Sequence, residues 1–439
     1  MSKRRNSFML SCIMISSIGL LAACGGSKSG EEELKTPAVP QEPTEVYFLS
    51  TSTYWWDEAT FMKEFGEPLQ KKYPYIIPKT INLAAANTKA IEGLIVNKQP
   101  IDVILSANYS YLAYIEPYNL SMDIEPLIKQ NNVDLNRFAP EFIDMNRTLG
   151  NGKLIGLPLQ DSPTQIIYNK GIFDQFGVSY PPHGQWTWDE MYALANKVTR
   201  MDSGKQFYGV RLHNTFFRRN PFSLEYVDSK TNKAIFNNDQ GKKMIEMWLR
   251  QYELSDTPGL ATDGAKMFFE NRNLAMWIPG SQTYNTPDLY KGLEWDLAPA
   301  PVLPEKGNVG FQPYPDYLFV SNISKNKELA MKAIEYFTSD TFQMERSKNA
   351  WATPLKNSQI KAAFGQNSEL FKGKNISAMS PAKYAPAASY NKFTQQAGAI
   401  ILPKHINNVR DNKTDINSAL RAAEEEENKY IEDNLKATK

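Results

Sequence analysis

Between residues 45 and 105 short apolar runs alternate with amphipathic stretches, and that alternation restricts the fold more than any other feature of the 439-residue chain. Residues 45–50 (EVYFLS) predict a buried strand. Residues 58–73 predict a helix, with Phe61, Phe65 and Leu69 four apart on one face and Pro74 stopping it. Residues 75–83 predict a second strand, 87–97 a helix and 101–105 (IDVIL) a third strand. That order is the pattern of a parallel sheet covered by helices. Ligands of such sheets lie beyond the carboxyl ends of the strands. Here those ends are 51–57 and 106–114, both rich in aromatic residues.

Further along, residues 153–159 and 164–169 predict two strands separated by Gln160, Asp161, Ser162 and Pro163. A short helix ends over 174–178. Thr187 followed three residues later by Glu190 makes a capping box, and its helix runs to about Thr199. Residues 238–253 and 262–271 predict helices, the first with Met244, Trp248 and Tyr252 at spacing four. Strands are predicted over 274–278, 295–298 and 317–320, and a helix over 326–338. The last 80 or so residues read mostly helical, and their acidic run from Glu424 reads as a solvated helix face.

Residues 1–23 have the form of an export signal: Lys3, Arg4 and Arg5, an apolar run over 8–20, then Leu21, Ala22 and Ala23 before Cys24. The run is too short to span a membrane. Residues 21–24 resemble a bacterial lipobox, in which the cysteine thiol takes a diacylglycerol; the plainer alternative is an ordinary signal peptide. From Gly25 to about residue 44 the chain has almost no apolar side chain and reads as a disordered tether.

Cysteine is absent after Cys24. No disulfide framework, zinc-thiolate site or cysteine nucleophile is therefore available beyond the tether. The three histidines, His183, His213 and His405, have no helical ligand spacing and suggest no metal site. Without the three leading cations, 46 basic residues face 48 acidic ones. That balance argues against a nucleic-acid partner, which requires a concentrated basic face. No cofactor motif is found, and no Gly-x-Ser-x-Gly, His-Glu-x-x-His or Gly-x4-Gly-Lys-Ser/Thr pattern.

Several segments in fixed order resemble the family 1 extracellular solute-binding proteins. They are 151–158 (NGKLIGLP), 166–170 (IIYNK), Phe173, Gly177, Pro181 and Pro182, and 187–190 (TWDE). Residues 265–280 (AKMFFENRNLAMWIPG) match more loosely, since Arg272, Asn273 and Leu274 stand where the family commonly has Gly-Lys-Ala. Residues 295–304 and 324–337 resemble its hinge strand and following helix. The resemblance implies an α/β fold of the type II periplasmic-binding-protein kind, with two lobes, each a mixed sheet flanked by helices, joined by hinge strands. Lobe 1 would hold 45–158 and 299–346, and lobe 2 would hold 159–298 and 347–439. It implies a receptor, monomeric and lipid-anchored at the outer face of the bacterial cytoplasmic membrane. That receptor would close on a carbohydrate and hand it unaltered to an ABC permease.

Candidate cargo contacts follow. Tyr54, Trp55, Trp56 and Asp57 come after the first strand; sugar C–H faces can pack on the rings, and the carboxylate can accept hydroxyl hydrogen bonds. The alternative for each ring is packing on the adjacent helix. Asn108 and Tyr109 follow the third strand. Gln160 and Asp161 lie at the first lobe crossing, as cleft contacts or as a solvent-facing turn. Trp277 and Ser281 end a lobe 2 strand. Gln312, Tyr314, Asp316 and Tyr317 follow the return hinge, and Trp351 offers a platform or a core ring. Arg211, Arg218 and Arg219 form the main basic cluster and read as a solvated loop or as partners for a carboxylated sugar. Two rival functions remain at this level: a lipid-anchored carbohydrate-active enzyme, whose carboxylate pair only the fold could place, and a ligand-presenting subunit for a sensor kinase.

Overall fold

The computed structural model describes residues 42–51, 57–81, 83, 87–254, 263–280, 283–284, 286–380 and 383–437. The export signal, Cys24 and nearly all of the tether lie outside the described residues, as do Tyr54, Trp55, Trp56 and Ser281. Among the described residues, no helix is long and apolar enough to cross a membrane.

In chain order the strands are β1 (Thr44–Ser50), β2 (Ile76–Ile81), β3 (Val103–Ala107), β4 (Gly156–Asp161), β5 (Gln165–Asn169), β6 (Arg200–Asp202), β7 (Lys205–Leu212), β8 (Leu274–Ile278), β9 (Trp295–Pro299) and β10 (Pro315–Val320). They form two mixed five-stranded sheets, ordered β2-β1-β3-β10-β4 and β6-β7-β8-β5-β9. In the first, β1 runs parallel to β2 and β3, while β10 runs antiparallel to β3 and β4. In the second, β7 and β8 are parallel, and β5 is antiparallel to β8 and β9. The chain crosses between the sheets through residues 162–164 and returns through 300–314.

Each sheet has its own core, which makes each lobe a separately packed body. In lobe 1 the helix predicted over 58–73 forms over 58–72, although its middle turn, Met62–Gly66, widens to π-helical hydrogen bonding. Its apolar face is the one read from spacing: Phe61 and Phe65 stack at 6.2 Å, and Phe65 meets Phe337 edge-on at 5.3 Å. Burying such a ring contributes roughly 1.5–3 kcal/mol. In lobe 2 the capping box is present on helix Trp188–Val198, with the Thr187 amide donating to Glu190 at 2.7 Å and the Glu190 amide donating back to the Thr187 hydroxyl at 3.2 Å. That helix buries Trp188, Met191, Tyr192, Ala195 and Val198.

Several elements differ from expectation, among them the following three. β4 runs on through Gln160 and Asp161, predicted as a connecting turn, because β10 pairs with both of them. Residues 108–114 form a helix that buries Asn108, Tyr109, Tyr111 and Leu112 on the sheet. Its mixed polar and aromatic composition hid that face. The acidic carboxy-terminal helix, Ile416–Ala437, does not put every acid in water, since Glu427 is fully buried.

Candidate functional site

The parallel pair β7 and β8 ends at Leu212 and Ile278. Leu212, His213, Thr215, Arg218, Asp263, Trp277 and Thr283 line a pocket of about 550 Å³ beyond those ends, where an α/β sheet presents its ligand site. Two glycines let its walls close up. A Cβ on Gly264 would meet Trp277 Nε1 at 2.6 Å, and one on Gly280 would strike the His213 ring.

His213 follows β7 directly. The Thr215 amide donates to its Nδ1 at 3.2 Å, so the ring proton belongs on Nε2. Burial, with the Arg218 and Arg219 guanidinium groups nearby, lowers its pKa, which keeps the imidazole neutral near pH 7. Asp263 accepts the Lys266 amide at 3.0 Å. The pocket thus offers a neutral imidazole, threonine hydroxyls, one guanidinium and one carboxylate around an indole. Those donors and acceptors suit a polyhydroxylated solute of low charge.

The pocket abuts the other lobe. The Tyr109 hydroxyl donates to the Arg218 carbonyl at 2.7 Å, and the Arg218 guanidinium lies 5.8 Å from the Tyr109 ring. Arg219 donates to the carbonyls of Ser162 (2.9 Å) and Gly280 (3.3 Å) and lies 4.1 Å over the Tyr314 ring. The expectation of a solvated arginine loop fails here. Arg211 sits on β7, and Arg211 and Arg219 are both buried with backbone carbonyls as acceptors.

The expected contacts divide among three places. Trp277 lines the pocket, but it is packed against Phe268 and Phe269 and only 4% exposed, which leaves little ring surface for stacking. Tyr109 and Tyr314, with ring centroids 6.1 Å apart, stand beside the pocket. Asn108 is buried next to Tyr109, with its amide nitrogen near Met145 Sδ.

The second place is the lobe crossing. Gln160 and Asp316 face each other across β4 and β10, where a bulge interrupts the register. Gln160 Nε2 donates to Asp316 Oδ2 at 2.7 Å, and Arg346 donates to Gln160 Oε1. Asp161 accepts from the Tyr384 hydroxyl and, at 3.3 Å, from the Tyr314 amide. Burial pushes Asp316 up to about 7 and also raises Asp161. All three hinge residues are at least 97% buried, and Asp161 borders a small cavity with Tyr384. Tyr317 is wholly buried, its hydroxyl donating to the Phe142 carbonyl. Gln312 is buried and donates to the Pro386 carbonyl.

The third place is a groove of about 700 Å³ that includes Asp57, Glu64, Arg346 and Trp351. Asp57 caps the 58–72 helix by accepting the Thr60 amide at 2.7 Å, and Trp351 lies 4.6 Å from the Arg346 guanidinium. Sequence reasoning missed His213, Thr215 and Asp263. Strand β7 was not predicted, and without it nothing marks residue 213 as a strand end.

The family model for bacterial extracellular solute-binding proteins matches residues 58–344. A Brucella abortus (strain 2308) protein named as a binding protein is 23% identical over 257 residues, 52% of this chain and 58% of that relative. The chain thus spans little more than half the length of the curated relatives it matches. Solved structures are alike over more of the chain. A sugar transporter from Rhizobium etli in an open conformation superposes with a TM-score of 0.70 at 18% identity, covering 87% of this chain and 98% of its own. An ABC substrate-binding protein from Listeria monocytogenes, in complex with cycloalternan, gives 0.69 at 17%, covering 89% and 99%. The sugar-binding protein MalE from Xanthomonas citri gives 0.68 at 17%, covering 90% and 99%. The fold is that of the two-lobed periplasmic binding proteins, and the matching family and these neighbours are binding proteins.

Proposed function

This chain belongs to the bacterial extracellular solute-binding protein family, and from that premise we propose that it captures a carbohydrate between its lobes and delivers it, unaltered, to an ABC importer. The observation that carries this reading is the pocket beyond β7 and β8, whose lining residue Arg218 is tied through its carbonyl to Tyr109 of the other lobe. A solute held there that gains contacts with lobe 1 on closure would favour the closed form, since a ligand shifts an equilibrium by its differential affinity for the two states. Neutral His213 beside one cation and one anion suits hydroxyl groups better than a formal charge. The sugar-binding character of the Rhizobium, Listeria and Xanthomonas neighbours supports the same class of cargo. In this reading the protein acts as a non-catalytic monomer, held at the outer face of the cytoplasmic membrane by lipid on Cys24. Two acyl chains would supply the two-signal anchoring that one chain cannot.

Lobe 1 in this reading comprises 45–158 and 299–346, and lobe 2 comprises 159–298 and 347–439. Titration calorimetry against mono- and oligosaccharides tests the site. His213→Ala and Arg218→Ala should each weaken binding at least tenfold, about 1.4 kcal/mol. Unchanged affinity in both variants would remove the pocket from the cargo site.

A further inference from the structure

A groove of about 470 Å³ lies where the start of helix Trp188–Val198, one side of helix Asp239–Glu253 and the return segment at 302–305 meet. It shares no lining residue with the pocket beyond β7 and β8. The sequence accounts for its long wall. Helix Asp239–Glu253 turns Met244, Ile245 and Trp248 into the lobe 2 core, so residues 243, 246, 247, 250 and 253, which recur about once per turn, fall together on another side. The facing wall is closed by a parallel bridge between Thr187 and Val302, and the Val302 amide donates to the Trp186 carbonyl at 2.9 Å.

Part of the lining is apolar, supplied by Phe222, Met247, Val302 and Leu303. Its charged residues do not balance. Asp189 accepts from Arg250 at 2.6 Å, and Arg250 also lies 4.4 Å from the Tyr192 ring. That leaves the exposed Glu246, Glu253 and Glu305 against Lys243 alone. An acidic rim beside an apolar lining favours a cation that carries an apolar stem. Trp188 adds a second, independent demand. It is 3% exposed, its ring is held between Phe216 and Phe311 at 5.7 Å each, and its Nε1–H has no hydrogen-bond partner among the described residues. A buried donor left that way is costly. An ammonium group cannot relieve it, because a protonated amine accepts no hydrogen bond. The occupant therefore needs an acceptor as well as a positive charge and an apolar part. A peptide bearing Lys or Arg combines all three: its carbonyl accepts, its cations meet the glutamates and its side-chain stems cover the apolar lining.

We infer that this groove binds a basic peptide segment of another protein, with a backbone carbonyl on the Trp188 indole N–H and Lys or Arg side chains at Glu246, Glu253 and Glu305. The site is separate from the cargo pocket, so it does not depend on the cargo being a carbohydrate.

Fluorescence anisotropy of a labelled Lys-Leu-Lys-Ala-Lys peptide with the full chain tests this. The wild type should bind the peptide, and the same peptide with acetylated lysines should bind at least tenfold more weakly. Glu246→Gln combined with Glu305→Gln should weaken binding at least fivefold, and Trp188→Phe at least threefold. Glu270→Gln combined with Glu425→Gln, which removes two exposed acids absent from the groove lining, should change nothing. In a nitrogen–proton correlation spectrum, the indole resonance missing from Trp188→Phe should shift with the peptide and stay in place with spermidine, which offers cations without a carbonyl. Thermal melts confirm folding, and the groove glutamine variant carries the test if Trp188→Phe is unstable. No binding by the wild type, equal binding of the acetylated peptide, or wild-type affinity in the folded groove glutamine variant overturns the inference. So does an equal loss in the control pair, which would mean diffuse charge attraction. Spermidine that displaces the peptide and shifts the indole equally would make the groove a general polyamine site and overturn peptide recognition.

Discussion

The lobe crossing and the carboxy-terminal helix bury acids in opposite ways. At the crossing, Asp316 and Asp161 sit in a web drawn from distant parts of the chain: Gln160 on β4, Arg219, Tyr314, Arg346 and Tyr384. Arg346 extends that web to Glu64 at 3.7 Å and lies over Phe65, tying the hinge to the 58–72 helix. In the carboxy-terminal helix, Glu427 is equally hidden, yet neither of its oxygens has a partner among the described residues. Burial, with Glu426 one residue away, pushes it up to about 8, so it stays protonated at neutral pH. The hinge acids are held by partners, whereas the helix acid is tolerated by being uncharged. A web spanning both lobes can change its partners when the lobes move. A lone protonated acid in a packed core has no such part to play.

That contrast can be broken most directly at Arg346. Arg346→Ala leaves Gln160 without its donor, Glu64 without its paired cation and Asp316 with one of its two nearby cations gone, and should cost about 3–5 kcal/mol in urea unfolding at pH 7. A loss under 1 kcal/mol would mean that the web does not hold the hinge. Next in size, Glu427→Leu should stabilise the protein by about 1–3 kcal/mol at pH 8, since an unsatisfied polar group gives way to an apolar one.

The pH dependence has a definite sign. Both acids are raised above their ordinary values. The folded chain therefore keeps a proton that the unfolded chain has released, and stability falls as pH rises from about 4 through the folded value. For Glu427 that window reaches about 8, so the gain from Glu427→Leu should be larger at pH 8 than at pH 5. An equal gain at both values would show that Glu427 does not titrate on folding. The smallest effect belongs to Asp316→Asn, which should flatten the fall in melting temperature between about pH 4 and pH 7. An unchanged slope would place Asp316 in the ordinary carboxylate range and erase the likeness between the two acids.

Much of the scaffold is legible in the chain because it rests on local rules. The apolar runs at 45–50 and 274–278, the spacing of Phe61, Phe65 and Leu69, and the Thr187–Glu190 capping box each express a relation between neighbours within one element. The ordered blocks around 151–190 point to the family in the same way, and a model spanning 58–344 agrees. Strand β7 escaped because Gly209 and Arg211 interrupt its apolar pattern; Arg211 is buried with the carbonyl of Gln251, forty residues away, among its acceptors and with the Tyr208 and Tyr252 rings beside it.

The site itself is decided by contacts that no local pattern encodes. Whether an aromatic side chain faces cargo or core depends on what folds over it. Tyr317 is wholly buried with its hydroxyl on the Phe142 carbonyl, whereas Trp277 keeps a place in the pocket lining with Phe268 and Phe269 packed against it. His213 became a pocket wall because β8 lies parallel to β7 and ends beside it. The chain thus determines by itself most of its strands, the faces of its regularly patterned helices and its family. Tertiary structure alone decides which polar groups are buried with partners and which rings meet solvent, because desolvation and long-range pairing depend on residues that sequence distance keeps apart.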